Sequence, residues 1–123
     1  MKVIMFQTRF AGKVACGEKL QTIRAARKVP IRKCDELSLR AWTGLPYRSQ
    51  QRVLKECSCQ RVAVVKLEQT PWEFIITVDG EYLPLEHFDR FARRDGFEDI
   101  QELIAWFEAT HGFPFVGQLI CWA

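Results

Sequence analysis

The chain has 123 residues, enough for one domain with one respectable core, and its 48% apolar content with four Trp and nine Phe excludes a disordered polymer. Its longest apolar runs, such as Val62–Val65 and Phe113–Val116, fall far short of the ~20 residues of a membrane span. The net charge of +3 hides an asymmetry: residues 1–66 hold 15 Lys/Arg against 4 Asp/Glu, and residues 67–123 hold 3 against 11.

Taken in chain order, Lys2–Phe6 reads as a first strand, its apolar stretch being too short for a secretory signal, so a cytosolic protein is expected. Phe6, Phe10 and Val14 then recur every four residues, predicting a short helix that stops near Gly17. Thr22-Ile23-Arg24 predicts a brief strand with Thr22 and Arg24 on one face. Glu36–Trp42 alternates polar and apolar as a strand does, and Thr43–Ser49, with Gly44 and Pro46, is a loop. Gln51–Cys57 and Cys59–Leu67 predict two strands, either a hairpin or one bent strand. Trp72, Phe74, Ile76 and Val78 fall on one face of a further strand that ends at Asp79-Gly80, with Trp72 expected in the core together with Trp106 and Trp122.

Two helices follow. Leu85, Phe88, Phe91 and Ala92 form one apolar stripe, while Ile100, Leu103, Ile104 and Phe107 fit the i, i+3, i+4, i+7 template. Asp95-Gly96 separates them, His111-Gly112 ends the second, and a closing strand runs over 115–122. This order predicts a single α+β domain over residues 1–123, a small and mostly antiparallel β-barrel with about three flanking helices. No Gly-rich phosphate loop, Gly-x-Ser-x-Gly or His-Glu-x-x-His motif is present, which argues against several large enzyme classes.

Five cysteines are an odd number without an obvious framework, so reduced thiols are expected. Cys57-Ser58-Cys59 is too tight for a zinc knuckle, His87 and His111 lie far away and read as surface residues, and neither a metal nor an organic cofactor is expected. Between Glu18 and Asp35 there is no acid, yet Lys19, Arg24, Arg27, Lys28, Arg32 and Lys33 all fall there. Such a segment attracts phosphates, although the basic and acidic halves can also neutralise each other across the fold. Arg27, Lys28, Arg32 and Lys33 therefore read equally as a phosphate-tracking patch or a solvated loop. Trp42 and Tyr47, flanking a Gly/Pro loop, read as base-stacking or partly buried residues.

The stretch that carries chemistry is Gly17-Glu18-Lys19-Leu20-Gln21-Thr22-Ile23-Arg24. A lysine in a dry cleft loses its proton readily and becomes a base. A threonine hydroxyl becomes a nucleophile when such a base is in reach. Arg24, on the Thr22 face of the strand, can hold a phosphate or a carbonyl with its planar fork. A carboxylate from elsewhere is still needed to orient the lysine. Asp95, before Gly96, reads as a turn residue bonding its neighbours' amides.

Gly17-x-Lys19-x-x-Thr22-Ile23-Arg24, after the opening Phe6-Gln7-x-Arg9-Phe10, resembles the ASCH family of small PUA-like β-barrel domains. The resemblance extends through Cys34-Asp35-Glu36-Leu37 and Phe91-Ala92-x-x-Asp95-Gly96-Phe97 to the final strand. It implies a cleft that binds RNA or a modified nucleoside, lined here by Arg24, Arg9, Gln7, Arg27 and Lys28. It also implies an activity, since some members are amidohydrolases that deacylate acetylcytidine and others have been described as ribonucleases. The amidohydrolase set is a lysine, a threonine three residues on and a glutamate before the last helix, which places Lys19, Thr22 and Asp95 as the catalytic residues. Asp95 departs from the pattern by one methylene, a shortening of the order of 1 Å that can lower a rate about a hundredfold. Cys34 departs from it too, standing where glycine is usual. The oligomeric state stays open between a monomer and a weak dimer.

Overall fold

The computed structural model describes residues 1–123 as an α+β arrangement of eight strands in two sheets with three helices. Strand β1 (Lys2–Phe6) leads into helix α1 (Thr8–Cys16), followed by β2 (Gln21–Arg24), β3 (Glu36–Trp42), β4 (Gln51–Ser58), β5 (Arg61–Gln69), β6 (Phe74–Val78) and β7 (Glu81–Tyr82). A single 3-10 turn then precedes α2 (Phe88–Arg94), α3 (Ile100–Thr110) and β8 (Phe115–Cys121). The first sheet has the order β1-β3-β4, and the second β2-β8-β5-β6-β7. All strand pairs are antiparallel except β1 with β3.

Neither sheet closes on itself as a barrel. The outermost strands β1 and β2 bond β3 and β8 and do not pair with each other. Side chains stand in the gap: the Lys19 ammonium and the Arg24 guanidinium both lie over the ring of Phe6, the last residue of β1. Polar groups of two strand edges therefore border the gap instead of forming a ladder.

β4 and β5 are not a hairpin. They are joined through Cys59-Gln60 yet belong to different sheets, so the chain passes from one sheet to the other at this corner. Main-chain bonds hold the corner to both: Cys59 N–H donates to Asp35 O and Cys34 N–H to Cys59 O, both at 2.8 Å, while Gln60 N–H donates to Cys121 O at 2.8 Å. Cys34 carries φ 74°, a left-handed conformation that favours glycine, which gives a physical reason for glycine at this turn.

Buried Ile4, Phe6, Leu37, Leu39, Val65, Leu67, Ile76, Leu119 and Ile120 from both sheets join Phe10, Val14, Leu103 and Phe107 of the helices in one continuous core. Trp122 belongs to it and Trp106 packs against it, but Trp72 is 91% exposed. The Thr70 hydroxyl accepts from the N–H groups of Trp72 and Glu73, a local turn that lifts this segment off the sheet before β6 begins at Phe74. All five cysteines are free thiols. No helix is long and apolar enough to cross a membrane.

Candidate functional site

Helix α1 ends at Gly17, whose φ of 84° is a glycine conformation, with Glu18 N–H and Lys19 N–H both turned back to Lys13 O. The chain thereby enters β2 two residues later. Leu20 N–H donates to Arg94 O at 2.8 Å, and Trp122 N–H donates to Leu20 O at 3.1 Å. The segment carrying Lys19 is thus tied to the end of α2 and to the end of β8 at once. That double attachment brings Lys19 to Asp95, 76 residues away.

Asp95 caps the C-terminus of α2, and Gly96 after it has φ 92°. The space around Gly96 is occupied by the lysine, since a Cβ there would lie 3.1 Å from Lys19 Cδ and 3.2 Å from Phe10 Cδ1. The Asp95 carboxylate makes no bond to a main-chain amide, so it is not serving as a turn-forming acid. Oδ2 lies 3.6 Å from Lys19 Nζ, Oδ1 has no hydrogen-bond partner, and Lys19 Nζ donates to Asp95 O. Lys13 braces the same loop from outside, with Nζ donating to Gly96 O at 2.7 Å.

These groups are nearly dry: Lys19 is 2% exposed, Thr22 4% and Asp95 3%. They line one cavity of about 450 Å³. β1 contributes Ile4, Met5 and Phe6 to its wall, and β2 contributes Thr22, Ile23 and Arg24. The cavity occupies the seam where an edge of one sheet faces an edge of the other. Thr22 Oγ1 accepts a hydrogen bond from Arg24 Nε at 3.1 Å. The Lys19 ammonium lies 4.8 Å from the Phe10 ring centre, and Arg24 Cζ lies 4.8 Å from that of Phe6. These are cation–π distances that partly offset the lost hydration.

Burial dominates the electrostatics. It lowers the Lys19 pKa, opposed by the neighbouring Asp95 charge, and it lowers that of Arg24 in the same way. It pushes Asp95 up to about 6, against the pull of Lys19 and Arg24. The Gln21 amide also draws Asp95 down, yet Gln21 Nε2 and Asp95 Oδ1 are each left without a well-formed hydrogen bond. Both displacements favour the neutral forms, an amine that can take a proton and an acid that can give one.

Of the residues expected to bind ligand, Gln7, Arg24 and Arg27 line the cavity, and Arg9 and Lys28 do not. Arg9 is drawn away by an ion pair with Glu102 and packs over the rings of Phe10 and Phe97, while Lys28 stands exposed on the loop beyond β2. Trp42 and Tyr47 are also outside it, their rings set against each other at 5.1 Å. The sequence reading missed Phe97, Trp106, Phe107 and His111, which complete the wall from the α2–α3 connection and α3. His111 is exposed, as expected, but sits at the rim against Trp106, Phe107 and Phe115. Phe107 belonged to the apolar stripe of α3, a pattern that marks a core face and carries no sign of a ligand. No group of three or more His, Cys, Asp or Glu is arranged to hold a metal ion. In comparisons with protein-family models, curated proteins and solved structures, nothing matches this chain.

Proposed function

We propose that the cavity binds a nucleoside-sized amide and hydrolyses it, as an ASCH-type amidohydrolase acting on a cytidine acylated at its exocyclic amine. The observation that carries this reading is a lysine and a carboxylate, both almost without water, 3.6 Å apart in a cavity that a threonine and an arginine also line. A buried ion pair is a poor stabilising device, because desolvation offsets most of its attraction. Paired groups with displaced pKa values in a concave site are instead what acid–base chemistry requires. The volume lies within the usual range for small ligands, and Phe6, Phe10, Phe97 and Trp106 make much of its wall aromatic. In this reading the two open sheets correspond to a PUA-like barrel parted at the β1–β2 seam.

The chemistry follows from the residues. The free Lys19 amine takes the Thr22 hydroxyl proton as Oγ1 bonds to the acyl carbon, and the carbonyl electron pair becomes an oxyanion beside Arg24. Collapse breaks the carbon–nitrogen bond, and the Lys19 ammonium returns its proton to the leaving nitrogen. Water then attacks the threonyl ester, Lys19 takes a proton from it and passes that proton to Oγ1, and the carboxylic acid leaves. Asp95 holds the lysine in place and sets its proton affinity. The hydrogen bond from Arg24 Nε already polarises the Thr22 oxygen in the direction of an alkoxide.

The test is release of cytidine and acetate from acetylcytidine by the purified chain. Thr22→Val removes only the hydroxyl and should abolish turnover, Thr22→Ser should retain part of it, and Lys19→Met should lower it by about 10²–10⁴-fold. Folded protein that leaves every acylcytidine intact, or a Thr22→Val variant as active as the parent, would overturn the reading. A second reading, in which the ligand is a base within an RNA strand, is supported by the exposed residues Arg27, Lys28, Arg32 and Lys33, none of which forms an ion pair. That reading requires affinity for single-stranded RNA that falls steeply as salt rises.

A further inference from the structure

A second cavity, of about 410 Å³, opens on the other side of β2. Gln21 stands in its wall, and because Gln21 and Thr22 are successive strand residues their side chains leave β2 on opposite faces. Gln21, Cys121 and Arg61 are register partners across β2, β8 and β5 and form one row. α2 adds Arg90 and Arg94 to the wall, and the β7 region adds Tyr82 and Glu81.

The charge of this wall is concentrated. Arg90, Arg93 and Arg94 are the only Lys or Arg residues after Lys66, and two of them line the cavity where Arg61 joins from the basic half. None of the three lining arginines is in an ion pair. Arg94 donates to Gln21 Oε1 at 3.4 Å and to the main-chain oxygen of Ala123. The neighbouring acids are otherwise engaged or outnumbered. Asp89 accepts from Ile100 N–H at 3.0 Å, Glu86 lies 4.0 Å from His87 Nε2, and Glu81 is the one carboxylate in the wall.

We propose that this cavity is a phosphate site, taking the phosphate of a nucleotide or of a polynucleotide backbone on Arg61, Arg90 and Arg94. Three guanidinium forks present more donors than the two oxygens of a single carboxylate accept, whereas a phosphate offers three or more acceptors in a tetrahedral array. Tyr82, exposed beside the arginines, supplies a ring face for an attached base. The site shares no lining residue with the Lys19–Asp95 cavity, so it stands whether or not that cavity hydrolyses amides.

The experiment is titration of the ¹⁵N-labelled full chain with inorganic phosphate, a mononucleotide and a single-stranded oligonucleotide in separate arms, following the arginine Nε–H signals. Saturable shifts are expected at Arg61, Arg90 and Arg94, with affinity falling as salt rises. Arg61→Gln and Arg90→Gln replace exposed side chains and leave the melting curve in place, and each should weaken phosphate binding about tenfold. An oligonucleotide binding tighter than the mononucleotide marks the backbone as the source, and the reverse order marks the free nucleotide. Shifts confined to the loop bearing Arg27 to Lys33, no saturable shifts, or unchanged binding in the double variant would each overturn the site.

Discussion

On one face of β2, Lys19 and Asp95 are enclosed beside Thr22; on the other, Arg61 and Arg90 stand in water around Gln21. Gln21 and Thr22 are one step apart along β2, yet the charges gathered on their two sides behave differently because water does. In the enclosed cavity desolvation is the largest influence, lowering the lysine and raising the acid to about 6. The open cavity keeps its charges hydrated, so its arginines can attract an anion at long range.

The comparison is broken most severely by removing one member of the enclosed pair. Lys19→Met strands the Asp95 carboxylate and should cost about 3–5 kcal/mol in denaturant unfolding, with Lys19→Met/Asp95→Asn recovering a large part of it. Equal losses in the single and double variants would show that the pair is not coupled. Gly117→Ala tests the wall between the cavities instead. Its Cβ would fall 2.3 Å from Arg24 O, forcing β2 away from β8, and a loss of about 3 kcal/mol with collapse of ligand binding is expected.

A gentler probe is pH. The folded chain holds the Asp95 proton more tightly than the usual value of 3.8, so this group's stabilising contribution is complete below about pH 4 and lost as pH rises through about 6. Asp95→Asn should flatten that part of the profile, on the order of 3 kcal/mol, whereas Asp35, drawn down by its bond from Lys2, works in the opposite direction and stays in both proteins. The smallest effect is expected in the open cavity, where Arg90→Gln should change unfolding by less than about 0.5 kcal/mol.

Much of the secondary structure was legible in the residues. Phe10, Val14 and the stop at Gly17 correspond to α1, although Phe6, read with them, ends β1; the stripe of Ile100, Leu103, Ile104 and Phe107 corresponds to α3. Trp72 went astray because alternation of large side chains extends past the residue at which Thr70 turns the chain off the sheet. The two-residue strand β7 offered too short a pattern to see. The β4–β5 connection read as a hairpin or as one bent strand because a short link is compatible with both, and only the pairing partners reveal a corner between sheets.

Local patterning determined where strands and helices begin, since side-chain period and turn chemistry act over a few residues, and it singled out Lys19, Thr22 and Arg24 as neighbours on one short segment. Tertiary structure alone decided that Asp95 turns its carboxylate to that lysine and not to its own turn, that Arg9 is spent on Glu102, and that the sheets stay open where the cavity lies. Such outcomes depend on which groups lose water together. Desolvation is a property of packed neighbours distant in the chain, and no run of adjacent residues encodes it.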